Sequence, residues 1–324
     1  MCTAISLNSG DHYFGRTLDL EYRYEERVVI TPRNFPLKFT DNTFTDSHLA
    51  VIGVSTVIDG YPLYYDAVNE SGLAMAGLNF PGNAVFHPVE ENRLNVAPFE
   101  FIPYILTRCQ NVNETEKLLK KINLADINFR PDLKAAPLHW IISDKEKSIT
   151  VESVSDGLKL YDNTVGVLTN NPPFEFHLKN LSDYTHLRAV EPEYISTASD
   201  GVCTFSKGMG AVGLPGDYSS ESRFIRADFI KSHSVSADSE EENVQQFFHI
   251  MGTVDTPRGS VDLGNGKYEI TVYTTCYNTD KGICYFTTYE NPQVCAVDMH
   301  RENLDRSELI NYPIDFRIDI RNVN

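Results

Sequence analysis

Cys2 has the most distinctive position for chemistry in this sequence, because it becomes the N-terminal residue once Met1 is removed. The new terminus then carries a thiol and a free α-amino group on the same residue. An α-amino group has a reference pKa of about 7.7 to 8, close to working pH, so it can accept the proton of its own thiol. The sequence therefore predicts an N-terminal cysteine nucleophile that needs no histidine partner.

Two charged residues follow within the segment Gly15-Arg16-Thr17-Leu18-Asp19. If the predicted strand over residues 2–7 pairs with the strand that leads into Arg16, this segment ends close to the N-terminus. Arg16 would then favour the thiolate by its charge, and Asp19 would hold and orient the α-amino group. An ordinary ion pair at the surface is the competing interpretation.

Two asparagines and one arginine also stand in positions that suggest chemistry. Asn79 follows the apolar residues Gly77 and Leu78, and Asn170 lies in the segment 168–172. A buried asparagine could donate amide hydrogens to an oxyanion, a contribution of about 3 kcal/mol, although an asparagine near proline is also a common turn former. Arg223 lies in the first turn of a predicted helix, where the helix dipole disfavours a cation. Either a specific partner or simple exposure to solvent would explain an arginine at this position.

The elements that must position these residues alternate in blocks. Apolar alternation and turn residues predict strands at 2–7, 13–15, 28–31, 49–58, 64–69, 73–80, 138–143, 148–154, 158–161, 165–168, 268–277, 283–289 and 294–299. The strands over 138–168 look like one continuous antiparallel meander. Helices are predicted at 99–106, 114–121 with Asn113 as the cap, 222–232 and 240–251. Residues 201–216 carry five glycines and predict a long ordered loop. Such blocks predict an α+β fold with two stacked antiparallel sheets and helices on the outer faces.

Composition and charge restrict the possible partners. The 324 residues are 41% hydrophobic, which is ordinary for a packed globular protein, and we expect a single domain over 1–324. The formal net charge of −17 repels nucleic acid and anionic membrane surfaces.

The six cysteines form no Cys-x-x-Cys pair and are expected to be buried apart from Cys2, and the nine histidines show no metal-ligand spacing. The N-terminus has no secretory pattern and no stretch approaches about 20 apolar residues, so a cytoplasmic protein is predicted.

Five separated motifs together resemble the choloylglycine hydrolase family, and the resemblance covers essentially the whole chain. They are Met1-Cys2-Thr3, Phe14-Gly15-Arg16-Thr17-Leu18-Asp19, Ala76-Gly77-Leu78-Asn79-Phe80, Leu168-Thr169-Asn170-Asn171-Pro172, and Gly213-Leu214-Pro215-Gly216-Asp217 with Ser222-Arg223-Phe224 after it. The match is close to the bile salt hydrolases of Gram-positive bacteria. This resemblance implies a four-layer αββα fold of the N-terminal nucleophile hydrolase type.

The resemblance also implies roles for particular residues. Cys2 would be the nucleophile, Arg16 and Asp19 its activating pair, Asn79 and Asn170 the oxyanion and substrate-orienting groups, and Arg223 an electrostatic support. The implied reaction is hydrolysis of the amide joining a bile acid to glycine or taurine, through a thioester on Cys2 and without a cofactor or metal. A homotetramer is implied as well. Three apolar candidates to line the steroid cleft are Leu18, Ile58 and Tyr65.

Three alternatives stay open on the sequence. Penicillin V acylase shares the nucleophile and fold in this superfamily, and Asn79 favours the bile salt reading, because the acylases often carry tyrosine there. A papain-like hydrolase would pair Cys2 with His139 or another histidine. A binding protein without catalytic activity could use the same fold.

Overall fold

The computed structural model describes residues 1–41, 43–45, 47–192 and 206–324. Its strands are β1 (Cys2–Ser9), β2 (Asp11–Leu20), β3 (Arg27–Thr31), β4 (Leu37–Lys38), β5 (Phe44–Thr45), β6 (Val51–Ile58), β7 (Tyr61–Asn69), β8 (Ala74–Asn79), β9 (Leu94–Val96), β10 (Ile122–Leu124), β11 (Leu138–Ser143), β12 (Ser148–Val154), β13 (Gly157–Asp162), β14 (Val167–Leu168), β15 (Asp262–Gly264), β16 (Lys267–Tyr268), β17 (Ile270–Asn278), β18 (Ile283–Thr288), β19 (Cys295–Asp298) and β20 (Ile310–Pro313). Its α-helices are α1 (Phe101–Leu106), α2 (Val112–Leu119), α3 (Phe174–Asn180), α4 (Ser220–Ser232) and α5 (Glu240–Gly252). The α+β class predicted from the sequence is confirmed.

Most strands belong to two large sheets. Sheet A has the order β14-β1-β2-β17-β18-β19, and sheet B has the order β13-β12-β11-β8-β7-β6-β3-β20. Neighbouring strands within both sheets run antiparallel. The hairpin predicted at 69–72 joins β7 to β8, and the hairpin predicted at Asp156 and Gly157 joins β12 to β13. Gly72 and Gly157 both have positive φ, which glycine adopts without a steric penalty.

The two sheets pack face to face and helices cover their outer faces. Buried side chains from β1 and β2 of sheet A and from β3, β6 and β8 of sheet B share one hydrophobic core, which also includes side chains of α4 and α5. A second core forms where α1 and α2 pack on the other face of sheet B. Contacts of α5 with β2 and β17, and of α4 with β1, place these helices on sheet A. The predicted four-layer αββα arrangement is therefore confirmed.

Strand β2 is buried along its whole central length, although its sequence carries His12, Arg16, Thr17 and Asp19. Buried polar side chains are costly unless they find partners, so their presence in a central strand marks a structural network or a functional site. The strand also lies unusually close to its neighbour β17. A side chain at Gly15 would collide with the backbone of Thr275, so only glycine permits this approach.

Two local predictions were wrong. The second helix begins earlier than expected, and its cap is Asn111, whose side chain accepts a hydrogen bond from the backbone of Glu114, whereas Asn113 lies inside the helix. The strands over 138–168 are not one meander, because β14 leaves sheet B and pairs with β1 in sheet A. Sequence periodicity describes each strand alone and does not show which neighbour it takes.

The cysteines largely follow the prediction. Cys2, Cys109, Cys276 and Cys284 are buried and free, and Cys295 is free but exposed. Cys203 lies outside the described residues, as does the first part of the glycine-rich segment 201–216. Among the residues that the structure describes, no helix has the length and apolar character needed to cross a bilayer.

Candidate active site

The pairing of β1 with β2 brings Cys2 and Arg16 together. Cys2 lies opposite Leu18, and Ala4 lies opposite Arg16. Side chains of opposed residues share one face of a sheet, and so do residues two positions apart on a strand. The thiol of Cys2 and the guanidinium of Arg16 are therefore diagonal neighbours on one face of sheet A. This confirms the predicted return of the second strand to the first.

Arg16 is held between the two sheets. Its side chain is 1% exposed and donates from Nη1 to the carbonyl oxygen of Gly77 at 2.6 Å and from Nε to that of Thr17 at 3.0 Å. Burial by itself lowers the pKa of the guanidinium, but the charges of Cys2 and of buried carboxylates outweigh it and raise that pKa. The group is permanently cationic. Within the part of the chain that the structure describes, its Nη2 has no hydrogen-bond partner, so this nitrogen is available to an anion beside Cys2.

Asp19 lies on the opposite face of β2, with Thr17. Its carboxylate accepts from the hydroxyl of Thr271 at 2.6 Å and from that of Thr17 at 3.2 Å. Burial raises the pKa of this carboxyl, and the positive charges of the N-terminus and Arg223 partly oppose that increase. The hydrogen bonds of the Asp19 carboxylate go to Thr17 and Thr271, and its backbone oxygen accepts from the Met1 nitrogen at 2.9 Å.

Asn170 connects the N-terminus to the rest of the site. Its Oδ1 accepts from the backbone nitrogen of Cys2 at 2.8 Å and from Nη2 of Arg223 at 2.7 Å. Its Nδ2 donates to the backbone oxygen of Asn79 at 2.7 Å. The side chain is thus fixed at both ends, and one of its two amide hydrogens is already committed. Asn170 is therefore placed to orient the nitrogen of Cys2.

Arg223 projects from the first turn of α4 toward the start of β1. Its Nη1 donates to the hydroxyl of Thr3 at 2.7 Å and to the carbonyl oxygen of Cys2, and its Nε donates to the carbonyl of Tyr218 at 3.1 Å. The side chain is fully buried, and burial lowers its pKa. These contacts explain a cation at an unfavourable position of a helix: its partners are the chain segment around Cys2 and the oxygen of Asn170.

The side chain of Asn79 does not share this burial. Asn79 ends β8 and is exposed, and it contributes its backbone oxygen to Asn170. Because β8 ends at this residue, Asn79 lies at the cavity wall, and its expected oxyanion and substrate-orienting role stays a prediction.

His139, the histidine named as a possible base for Cys2, does not match that role. The ring nitrogens of His139 contact Glu152 Oε1 at 3.1 Å and the carbonyl oxygen of Thr169 at 2.9 Å. The ring is also stacked on Phe80. Both nitrogens are therefore occupied in a structural network, and His139 is no base for Cys2. Its bond to Thr169 supports the residue that precedes Asn170.

A cavity of about 400 Å³ opens beside the N-terminus. It is lined by Met1, Leu20, Glu21, Asn79, Pro81, Asn170, Asn171, Ser220, Arg223 and Glu269. Leu18, Ile58 and Tyr65, which we expected in a steroid cleft, are not among the lining residues; Leu18 is buried in the core between the sheets. The side chain of Leu20 takes the corresponding place on the cavity wall.

Sequence reasoning also missed Glu269 and Ser220. Glu269 precedes β17 and forms an ion pair with the ammonium of Met1, and Ser220 Oγ accepts from the backbone nitrogen of Asn170 at 2.8 Å. Neither lies in a motif of its own. Only the pairing of β2 with β17 and the seating of α4 bring them to the site.

The arrangement can perform nucleophilic chemistry on a carbonyl group. It places a thiol, the nitrogen of the same residue, a permanent cation and an orienting amide within one buried cluster beside a cavity. Within the described residues, no group of three or more histidine, cysteine, aspartate or glutamate side chains is arranged to hold a metal ion.

Comparisons with known proteins agree with this chemistry. The family model described as "Linear amide C-N hydrolases, choloylglycine hydrolase family" matches residues 2–312. A protein of Lactiplantibacillus plantarum named "Bile salt hydrolase/transferase" is 47% identical over 314 residues, which cover 97% of each chain. A protein of the same name from Clostridium perfringens is 37% identical over the full length of both chains.

Solved structures give the same result for the fold. The C2A mutant of the conjugated bile acid hydrolase from Clostridium perfringens superposes with a TM-score of 0.93 at 36% identity and covers both chains completely. Penicillin V acylase from Agrobacterium tumefaciens has a TM-score of 0.77 at 18% identity, with 96% of this chain and 90% of that chain covered. At that identity, the second likeness concerns the fold alone.

Proposed function

Since the chain belongs to the choloylglycine hydrolase family of linear amide C-N hydrolases, we propose that it hydrolyses the amide bond joining a bile acid to glycine or taurine. Relatives that match nearly the whole chain are named for bile salts or conjugated bile acids. The observation that carries the proposal is the position of Cys2, whose nitrogen donates to Oδ1 of Asn170 at 2.8 Å, and Asn170 lines the cavity.

The reaction follows from the site after Met1 has been removed. The Cys2 thiol gives its proton to its own α-amino group, and the sulfur attacks the carbonyl carbon of the substrate amide. The C–N bond breaks, the proton passes to the leaving amine, and a thioester remains on Cys2. Water then attacks the thioester, so that the free bile acid leaves and the thiol is restored.

Each neighbour has a role that its contacts support. Arg16 stabilises the thiolate by charge from the same face of sheet A, and Asp19 acts on the α-amino group together with Asn170. Arg223 fixes the oxygen of Asn170 and the carbonyl of Cys2. Asn79, at the rim of the cavity, orients the substrate and donates to the developing oxyanion.

The same thioester can also react with an amine in place of water. Four relatives carry a name that joins hydrolase with transferase. Transfer of the bile acyl group to an amine needs no group beyond those used for hydrolysis, and we include it in the proposed function.

The test is a turnover assay of the purified chain with glycocholate, taurocholate and penicillin V. We expect release of glycine and taurine, and much slower cleavage of penicillin V. Cys2→Ala should abolish release, whereas the control Cys295→Ala, which removes an exposed cysteine, should retain it. Mass spectrometry of the same sample should show that Met1 is absent. An active sample that keeps Met1 throughout would refute the mechanism.

A homotetramer in the cytoplasm, as the resemblance and the N-terminal sequence predict, completes the proposal. Light scattering of the purified protein and fractionation of the producing cells are the measurements that test these two predictions.

A further inference from the structure

The cavity beside Cys2 already contains a primary ammonium group, because the unprocessed chain places the Met1 nitrogen there. This ammonium forms an ion pair with Glu269 and donates to the carbonyl oxygen of Asp19 at 2.9 Å. Met1 and Glu269 both line the cavity. The structure thus shows how an α-amino compound is held at this place.

The ammonium site lies next to the backbone nitrogen of Cys2. Only the Cα and the carbonyl carbon of Met1 separate its nitrogen from that of Cys2, so standard bond lengths keep the two nitrogens within about 4 Å of each other. A thioester on Cys2 would have its carbonyl carbon bonded to the sulfur of that same residue. An amine at the position of the Met1 nitrogen is therefore close to the residue that carries the acyl group.

Removal of Met1 leaves Glu269 without its cation. The residue is 8% exposed, and among the described residues its ion pair is with Met1 alone. A largely buried carboxylate is stabilised by a cation and is costly without one. The processed enzyme therefore has a negatively charged subsite, the size of one amino acid residue, next to its nucleophile.

We propose that Glu269 binds the ammonium group of a free amino acid that acts as the acyl acceptor in the transfer reaction. This inference rests on the proposed function and names the group that selects the acceptor. The Asp19 carbonyl takes a second ammonium hydrogen, as it does for Met1. The acceptor class is that of compounds with a primary ammonium, and neutral nucleophiles gain nothing from the charge of Glu269.

The transfer step balances without any additional reactant. The bound ammonium gives one proton to the Glu269 carboxylate, and its nitrogen attacks the thioester carbonyl carbon. A C–N bond forms, the C–S bond breaks, and the electron pair leaves on the sulfur. The second proton of the nitrogen passes through the α-amino group to the sulfur, and Glu269 later releases its proton to solvent.

The competing assignment gives Glu269 to the α-ammonium of Cys2 itself. In that case the carboxylate would stabilise the protonated form of the Cys2 α-amino group in every reaction, whatever the acceptor. The two assignments differ in a measurable way, because an effect on the Cys2 amine alters the pH profile of hydrolysis, whereas an effect on the acceptor alters how the thioester partitions.

The experiment measures partitioning of the thioester in Glu269→Gln. The processed enzyme is given taurocholate with isotope-labelled glycine, and mass spectrometry compares labelled glycocholate with free cholate. Hydroxylamine, which is mostly uncharged at neutral pH, serves as the neutral acceptor. The matched control is Glu241→Gln, which removes an exposed carboxylate in the first turn of α5 that does not line the cavity.

For Glu269→Gln we expect the ratio of transfer to hydrolysis to fall about tenfold with glycine, since a charge-assisted hydrogen bond is lost. With hydroxylamine the ratio should stay within about twofold of the unmodified enzyme, because no ammonium is bound. Equal loss with both acceptors, an unchanged ratio with glycine, or a shifted pH profile of hydrolysis would each overturn the inference. Failure of the unmodified enzyme to hydrolyse taurocholate would instead refute the proposed function.

Discussion

At the scale of single residues, the hydrogen bonds of His139 explain how the backbone before Asn170 is held in place. The carbonyl oxygen of Thr169 can only accept, so the facing nitrogen of His139 must donate to it. The other ring nitrogen faces Glu152 Oε1, which also accepts from the backbone nitrogen of Phe174. These contacts fix the ring of His139 between the backbone at Thr169 and the carboxylate that also binds the first residue of α3.

Glu152→Gln tests this support. Glutamine replaces one carboxylate oxygen by an NH2 group, which needs an acceptor of its own, so the ring of His139 will turn and the backbone at Thr169 and Asn170 will shift. A displacement of this kind costs about ten- to a hundredfold in kcat, because it misplaces the group that orients Cys2. Steady-state kinetics with taurocholate should show this loss in kcat, with a smaller change in KM.

The control for that prediction is Glu146→Gln, an exposed residue in the turn of the same β11–β12 hairpin. It should retain full kcat. A Glu152→Gln enzyme that unfolds at the same denaturant concentration as the unmodified enzyme and keeps its kcat would show that the pair does not position Asn170.

At the scale of elements, the two sheets are joined by a buried polar contact as well as by apolar packing. His12 on β2 lies 2.9 Å from the hydroxyl of Ser6 on β1 and 3.2 Å from that of Ser143 on β11 of sheet B. Its other nitrogen lies 2.7 Å from the hydroxyl of Thr279. Because these partners are neutral, the folded protein holds this histidine in its uncharged form.

The stability of the fold should depend on pH through His12. Burial lowers the pKa of this histidine from 6.5 to about 4. Between these values the unfolded chain binds a proton that the folded protein does not. The free energy of unfolding therefore falls as the pH drops from 6.5 to 4, by about 3 kcal/mol from this residue.

Urea denaturation at several pH values measures this dependence. His12→Gln should have a shallower loss of stability across the window, although it is less stable at neutral pH, while His249→Gln, at an exposed position of α5, should follow the unmodified protein. Parallel curves for His12→Gln and the unmodified chain would mean that His12 does not titrate in this way.

At the scale of the whole molecule, net charge opposes the proposed substrate. The chain carries a formal charge of −17, while glycine- and taurine-conjugated bile acids are anions. The buried cations Arg16 and Arg223 favour negative charge only at short range.

Strands from both ends of the chain meet in each sheet, as in β2 with β17 and β3 with β20. One domain over residues 1–324 remains a prediction, which a single calorimetric transition would support.

Added salt should therefore accelerate the reaction at low substrate concentration. Between about 10 and 150 mM salt the screening length falls from about 30 to 8 Å, so repulsion between enzyme and substrate weakens and kcat/KM for taurocholate should rise about two- to threefold. The carboxamide of glycocholate, which is uncharged, is the matched control and should show no rise. A fall in kcat/KM with salt would mean that local cations dominate the approach of substrate.

The sequence by itself predicted the nucleophile and determined the layers. Cys2 is the proposed nucleophile because it is second in the chain, and blocks of alternating strands and helices were enough to predict two stacked sheets. The predicted positions of Arg16, Asp19, Asn170 and Arg223 around the N-terminus also follow from motifs that the chain spells out.

Only the tertiary structure decided how those residues divide their contacts. Strand register put Arg16 on the face of Cys2 and Asp19 on the opposite face, and a shift of one residue would exchange them. In the folded chain Leu20, and not Leu18, lies on the cavity wall, and Asn79 is exposed. The tertiary structure also brought Glu269 beside Met1 across 268 positions of sequence. Long-range pairing creates such contacts, and no local pattern records them.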